Sequence, residues 1–212
     1  MGDGKTKLAV LVSGQGSNLQ ALMDAIAEGA LDARIVLVLS SKPGVQALKR
    51  AEKAGIPAAA LSWKAFAEEF GRSKRDVYDE ALARMVEPYA PDYIFLLGWM
   101  RLLGPRFLDA FPGKVVNLHP ALPGTFPGED AIERAWRSGQ AGEIQYSGAM
   151  THFVPDKGVD SGPVILSEAL SLTAFSSLQE FEAAMHRLEH GLVVATARIL
   201  CQSSGQARTA KE

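Results

Sequence analysis

Four short apolar runs constrain this chain most: Lys7–Val12 (KLAVLV), Arg34–Ser40 (RIVLVLS), Asp92–Leu97 (DYIFLL) and the stretch around Val115, Val116 and Leu118. They are nearly continuous in hydrophobic residues rather than alternating. That pattern fits strands covered on both faces, as in a parallel sheet packed between helices. Segments of helical period separate them. Ser17 and Gln20 have capping-box spacing, Leu19, Leu22, Met23 and Ile26 form an apolar stripe, and Gly29 suits a helix stop. Pro43 fits the first turn of a second helix ending near Ala54 and Gly55. A weaker strand is expected over Ile56–Leu61 and a short helix over Trp63–Phe70. A longer helix, with Ser73 and Asp76 as its N-cap pair, carries Tyr78, Leu82 and Val86 and ends before Pro88 and Pro91. Pro105–Ala110 predicts another short helix.

The pattern changes after Gly124. A helix is expected over Glu129–Arg137, then strands over Gln145–Val154 and Pro163–Leu170, joined by a polar turn and free to pair antiparallel at the sheet edge. Ser177 and Glu180 repeat the capping-box spacing and open a long helix with the stripe Leu178, Phe181, Met185, Leu188, Leu192 and Ile199. The fold class is therefore α/β: a doubly wound, mainly parallel Rossmann-like sheet with an antiparallel edge hairpin and a long C-terminal helix. No repeat or linker divides the chain, so residues 1–202 read as one domain and 203–212 as a small, polar, disordered tail.

Composition narrows the function. The 212 residues are 47% hydrophobic and 22% charged, which suits a globular protein with a real core. A net charge of −2 without a basic run lacks the footprint of a nucleic-acid binder. No apolar run reaches the roughly 20 residues of a membrane span, and the polar Met1–Lys7 runs into a strand without a secretory signal. Cys201 stands alone, so neither an intrachain disulfide nor a cysteine metal cluster is available, and a reducing, cytoplasmic setting fits.

Two stretches carry chemistry. In Val115–Gly124 (VVNLHPALPG) the period of two puts Asn117 and His119 on one side of a strand that Pro120 ends. An amide N–H and an imidazole together suit a reaction in which a carbonyl oxygen gains charge. A histidine before a proline is also an ordinary hydrogen-bonded loop residue. In Ser13–Asn18 (SGQGSN), Gly14 and Gly16 lead from a strand into a helix whose first N–H groups can receive an anion. Leu19 stands where a dinucleotide fingerprint needs its third glycine, and no Lys-Ser/Thr follows, so one phosphate is favoured over a pyrophosphate. A bare strand–helix turn is the alternative.

Gly98–Leu103 (GWMRLL) follows a strand at the edge where open α/β sheets bind ligands. Asp160, before Ser161-Gly162-Pro163, can reach an imidazole, although Asp156 and Asp160 are also common turn residues. His152 reads as structural, Glu189 can face a ligand or water, and the spacing of His186 and His190 alone is weak evidence for zinc. Trp63, Trp99 and Trp136 read as core anchors.

With these pieces in place, the chain resembles the phosphoribosylglycinamide formyltransferases, from about Lys7 to Cys201. The similarity is carried by SGQGSNLQ at 13–20, GWMRLL at 98–103, VVNLHPALPG at 115–124, VDSGPVI at 159–165 and the pair Glu189-His190. The resemblance implies formyl transfer from 10-formyltetrahydrofolate, the formyl-donating cosubstrate, to the amine of glycinamide ribonucleotide, without metal or ATP. It implies that Asn117, His119 and Asp160 are catalytic. It assigns Gly14, Gly16, Ser17, Asn18 and Glu189 to the ribonucleotide. Met100, Arg101, Leu102, Leu103, Val154 and Asp160 go to the folate. The N-terminal half would hold the nucleotide and the C-terminal half complete the folate site.

Small-molecule substrates, no nucleic acid, no membrane and a monomer or homodimer are the corresponding expectations. The chain departs from the family pattern at Ala121–Gly124, at Asp130 in place of a histidine, and in a segment one residue longer before Asp160, where Asp156 is the alternative carboxylate. Competing readings are a formyltetrahydrofolate hydrolase, a formyltransferase to another amine, and a non-catalytic nucleotide-binding protein. Hydrolases of that kind carry an extra N-terminal domain, whereas this sequence begins at the first strand.

Overall fold

In the computed structural model, which describes residues 4–71 and 73–209, the apolar runs become the centre of a seven-stranded sheet. The strands are β1 (Thr6–Val12), β2 (Ala33–Ser40), β3 (Ala58–Ala60), β4 (Tyr93–Leu96), β5 (Val115–His119), β6 (Tyr146–Phe153) and β7 (Val164–Ser171). Their order is β3-β2-β1-β4-β5-β6-β7. The first five strands run parallel, and β6 and β7 are antiparallel to their neighbours. The helices are α1 (Ser17–Ala27), α2 (Gln46–Lys53), α3 (Trp63–Phe70), α4 (Arg75–Val86), α5 (Pro105–Leu108), α6 (Ala131–Gln140) and α7 (Leu178–Thr209). No described helix is long and apolar enough to cross a membrane.

The continuous apolar runs are explained by two cores, one on each side of the sheet. Along β1, Leu8, Val10 and Val12 join Leu19 and Leu22 of α1 and Phe181, Met185 and Leu192 of α7. The alternate residues Ala9 and Leu11 join Leu82 and Val86 of α4 and Phe107 of α5. Each strand thus feeds both layers, and a polar residue on either face would be buried.

Several element starts differ from the sequence reading. At α1 the N-cap is Gly16, in the left-handed region at φ 73°, so Ser17 is already helical and makes no cap bond. Gln20 turns away to Asp24 and Arg50. At α2 the left-handed Gly44 prolongs the turn, so Pro43 lies before the helix and Val45 is the N-cap. At α4 the N-cap is Lys74 without a side-chain bond, so Ser73 does not cap. By contrast, Ser177 Oγ accepts from the Glu180 N–H at 3.2 Å, while the Glu180 carboxylate reaches Ser176 rather than Ser177.

On α7, Ile199 is 39% exposed; Val193, Ala197 and Leu200 are buried instead. A straight helix crossing a twisted sheet presents a gradually rotating face. The helix also continues to Thr209, past residue 203, where a disordered tail was expected. Ser203 Oγ donates back to the Ile199 carbonyl at 3.1 Å, a bond compatible with helix. Residues 210–212 of that tail lie outside the described residues.

Candidate active site

The chain leaves β1 for β2 on one side and returns through β4 on the other. At this switch the connections after β1 and β4 part, and a crevice opens at the strands' carboxyl ends. It is a cleft of about 700 Å³ lined by residues 13–18, 96–103, 117–120, 128–132 and 156–160, with Glu189 of α7. Ser13 Oγ accepts from the Met100 N–H at 3.2 Å and pairs with Ser41 Oγ at 2.7 Å, tying the first two segments together.

Asn117 and His119 share a face of β5, as the period of two requires, and both reach Asp160. Asn117 Nδ2 donates to Asp160 Oδ1 at 2.9 Å. His119 Nδ1 lies 3.3 Å from Asp160 Oδ2. The Gly128 N–H donates to the same Oδ2 at 2.9 Å. Asp160 has φ 49°, an uncommon backbone for a non-glycine residue, and its side chain is only 10% exposed. Asp156 closes a local turn by accepting from the Gly158 N–H at 2.7 Å, so of the two aspartates Asp160 faces the imidazoles.

His152 was read as structural, yet it stands directly opposite Asn117 in the β5–β6 pairing. Its Nε2 lies 3.2 Å from Asn117 Nδ2 and 3.5 Å from Asp160 Oδ1. Its Nδ1 faces the Phe153 carbonyl at 2.8 Å. The tautomer sets its role: a proton on Nδ1 lets Nε2 accept from Asn117, and a proton on Nε2 lets it donate to Asp160. The signal in the sequence was the antiparallel hairpin itself, once registered against Asn117.

The electrostatics follow from this packing. His119 is 4% exposed. Burial carries its pKa below the ordinary value, against the Asp160 carboxylate and the Phe126 carbonyl, which favour the charged ring. The Phe126 carbonyl faces Nε2 at 3.0 Å. Both ring nitrogens therefore face acceptors, and only the imidazolium satisfies both contacts fully. For Asp160, burial raises the pKa, but bonds from His152 and the Gly128 N–H, with the nearby His119, outweigh it and hold the carboxyl below its ordinary value.

The second stretch meets the other end of the cleft. Gly16 packs on α2: a Cβ there would lie 2.6 Å from Ala47 Cβ. Its glycine is thus required by packing as well as by φ. Gly14 has open space beside it, and its carbonyl accepts from the Ala47 N–H at 3.2 Å. Ser17 and Asn18 line the cleft at the start of α1, where first-turn N–H groups have no helical partner. Asn18 Oδ1 is buried without a hydrogen-bond partner among the described residues. Glu189, 7% exposed, faces them. Burial pushes its carboxyl up to about 7, opposed by a hydrogen bond from the Asn18 side chain.

Met100, Arg101, Leu102, Leu103 and Val154 form the remaining wall. Met100 and Leu102 are 62% and 51% exposed, high for large apolar side chains and suited to a flat apolar ligand. Leu103 is buried in the core below. The Arg101 guanidinium stacks over Trp63, 4.9 Å from the ring centroid. Among the described residues, no group of three or more His, Cys, Asp or Glu side chains is gathered as a metal would require.

Comparison with known proteins gives a consistent result. A family model described as formyl transferase matches residues 6–197. The chain is 38% identical over 193 residues to the phosphoribosylglycinamide formyltransferase of Schizosaccharomyces pombe, covering 88% of this chain and 93% of that protein. It is 34% identical over 184 residues to the Bacillus subtilis enzyme of the same name, covering 87% and 89%. A solved structure of glycinamide ribonucleotide transformylase 1 from Symbiobacterium toebii superposes with a TM-score of 0.84 at 31% identity, covering 95% of this chain and 90% of that one.

Proposed function

The chain belongs to the formyl transferase family, and from that premise we propose that it is a phosphoribosylglycinamide formyltransferase of purine biosynthesis. It moves the formyl group of 10-formyltetrahydrofolate to the amine of glycinamide ribonucleotide. The observation that carries this reading is the convergence of Asn117 and His119 on Asp160 at the floor of a cleft, between an anion-receiving helix start and an exposed apolar loop.

The ribonucleotide phosphate meets the N–H groups at Gly16, Ser17 and Asn18, a helix N-terminus with no acidic residue in its first turn. Asn18 Oδ1 and Glu189 are left to read the ribose hydroxyls. The folate ring lies against residues 100–103 and Val154. The amine then attacks the formyl carbon, and the carbonyl oxygen gains charge.

Asn117 Nδ2–H and His119 Nε2–H are the donors for that oxyanion, which displaces their present partners Asp160, His152 and the Phe126 carbonyl. As the carbon–nitrogen bond to folate breaks, one proton leaves the amine and one arrives on the folate nitrogen. Water organised by Asp160 carries the proton from the amine to the folate nitrogen. Asp160, held ionised, keeps the His119 imidazolium charged and oriented throughout. No metal is needed, and a cytoplasmic setting fits the substrates.

Formyl transfer by Asn117→Ala and His119→Ala tests the roles. Each variant is expected to lose roughly 100- to 1,000-fold in kcat while melting close to the wild type. Near-normal turnover in either would refute its role.

A further inference from the structure

Arg134, one turn into α6, makes no hydrogen bond to Asn117, His119 or Asp160 among the described residues, although its charge disfavours the His119 imidazolium, and it grips the segment that does. Its Nη2 donates to the Phe126 carbonyl at 2.8 Å and to the Pro127 carbonyl at 2.6 Å. Its guanidinium carbon lies 5.9 Å from the centroid of the Phe126 ring. The same Phe126 carbonyl faces His119 Nε2 at 3.0 Å, and the Gly128 N–H bonds Asp160. Residues 126–128 thus touch both proton-handling groups, and Arg134 holds the two carbonyls.

This segment needs holding. Phe126 has φ 44° and Asp130 φ 53°, left-handed conformations that strain a non-glycine residue. Arg134 Nε is buried without a hydrogen-bond partner among the described residues, so the guanidinium is placed for its Nη2 contacts at the expense of its own hydrogen bonding. Without the clamp, the strain favours another path for the loop. His119 then loses the carbonyl that fixes its ring angle and keeps a proton on Nε2.

We propose that Arg134 is a positioning residue, which through the Phe126 carbonyl orients the His119 imidazole for formyl transfer. The proposal rests on the role given to His119 above. Its test has two readouts, one of which needs no activity. In Arg134→Met, kcat is expected to fall roughly 10- to 100-fold, the scale of a small misplacement of a reacting group. KM for both substrates stays within about twofold, the signature of a lost orientation rather than a lost binding contact. The His119 Nε2–H proton resonance of the ligand-free enzyme is expected to be protected from exchange in the wild type by the Phe126 carbonyl, and to broaden or disappear in the variant. Arg134→Lys, which keeps the charge but not the fork, recovers part of both.

Wild-type kcat with a retained resonance in Arg134→Met overturns the proposal. So does a rise in KM at constant kcat. If the Met variant does not fold, Arg134→Lys decides by the same readouts: a partial loss of kcat at constant KM supports the clamp, and wild-type values overturn it. An inactive wild type would sink the reaction assigned above, while the resonance would still report on the clamp.

Discussion

At the scale of single residues, Glu189 and His119 are the groups whose protonation the fold alters most usefully. The Glu189 carboxyl titrates near 7 in the fold, against 4.5 ordinarily. Below pH 4.5 it is protonated whether the chain is folded or not. Between 4.5 and 7 the unfolded chain ionises while the fold keeps its proton, so stability falls as pH rises through that window. At about 1.4 kcal/mol per pH unit the deficit above pH 7 is on the order of 3 kcal/mol. Glu189→Gln should therefore melt several degrees above the wild type at pH 8 and level with it near pH 4.5. A difference that does not depend on pH would contradict this. His119 should titrate below 6.5 by NMR, because burial outweighs its partners. In Asp160→Asn the midpoint should drop further, since a charge favouring the imidazolium is gone; an upward move would contradict the pairing.

The legibility of these residues was uneven. Asn117 and His119 could be put on one face from strand period alone. Asp160 came from a motif, and the contacts of His152, a buried hydrogen-bonded histidine as its strand setting implies, depend on register across two strands that a sequence does not state. Arg134 gave no signal at all, since its partners are backbone carbonyls, which every sequence contains.

At the scale of elements, the long apolar strands were readable and the helix starts were not. A side chain of capping type does not cap when the residue before it takes the left-handed turn, as Gly16 does before Ser17. The same glycine supports a prediction. Gly16→Ala places a methyl against Ala47 at a positive φ. It is expected to cost about 1–3 kcal/mol in stability and to raise the KM for the ribonucleotide well above that for the folate. An equal rise for both would mean that the loop does not serve the phosphate alone. Helix α7 is held by Phe181, fully buried among Trp136, Phe175 and the sheet. Phe181→Ala is expected to cost about 3–5 kcal/mol, lowering the melting temperature by roughly 10 °C. A shift of only 1–2 °C would show that α7 is anchored elsewhere.

For the whole molecule, the sheet order explains why one cleft joins the helix start after β1 to the apolar loop after β4. The loops after β1 and β4 diverge where the winding reverses, and α7 brings Glu189 to the end of the cleft lined by Ser17 and Asn18. The antiparallel β6 then carries His152 to Asn117 and leads into the turn bearing Asp160. The doubly wound class was legible because buried parallel strands leave continuous apolar runs. The closure of the site by residues 126–128 was not, because it depends on loop conformation.

The central claim is tested most directly by following 10-formyltetrahydrofolate consumption with and without glycinamide ribonucleotide, in the absence of ATP and added metal. Consumption that requires the ribonucleotide, with one formylated ribonucleotide formed per folate released, is the predicted result. Deformylation at the same rate without the ribonucleotide would contradict the account and make the protein a hydrolase.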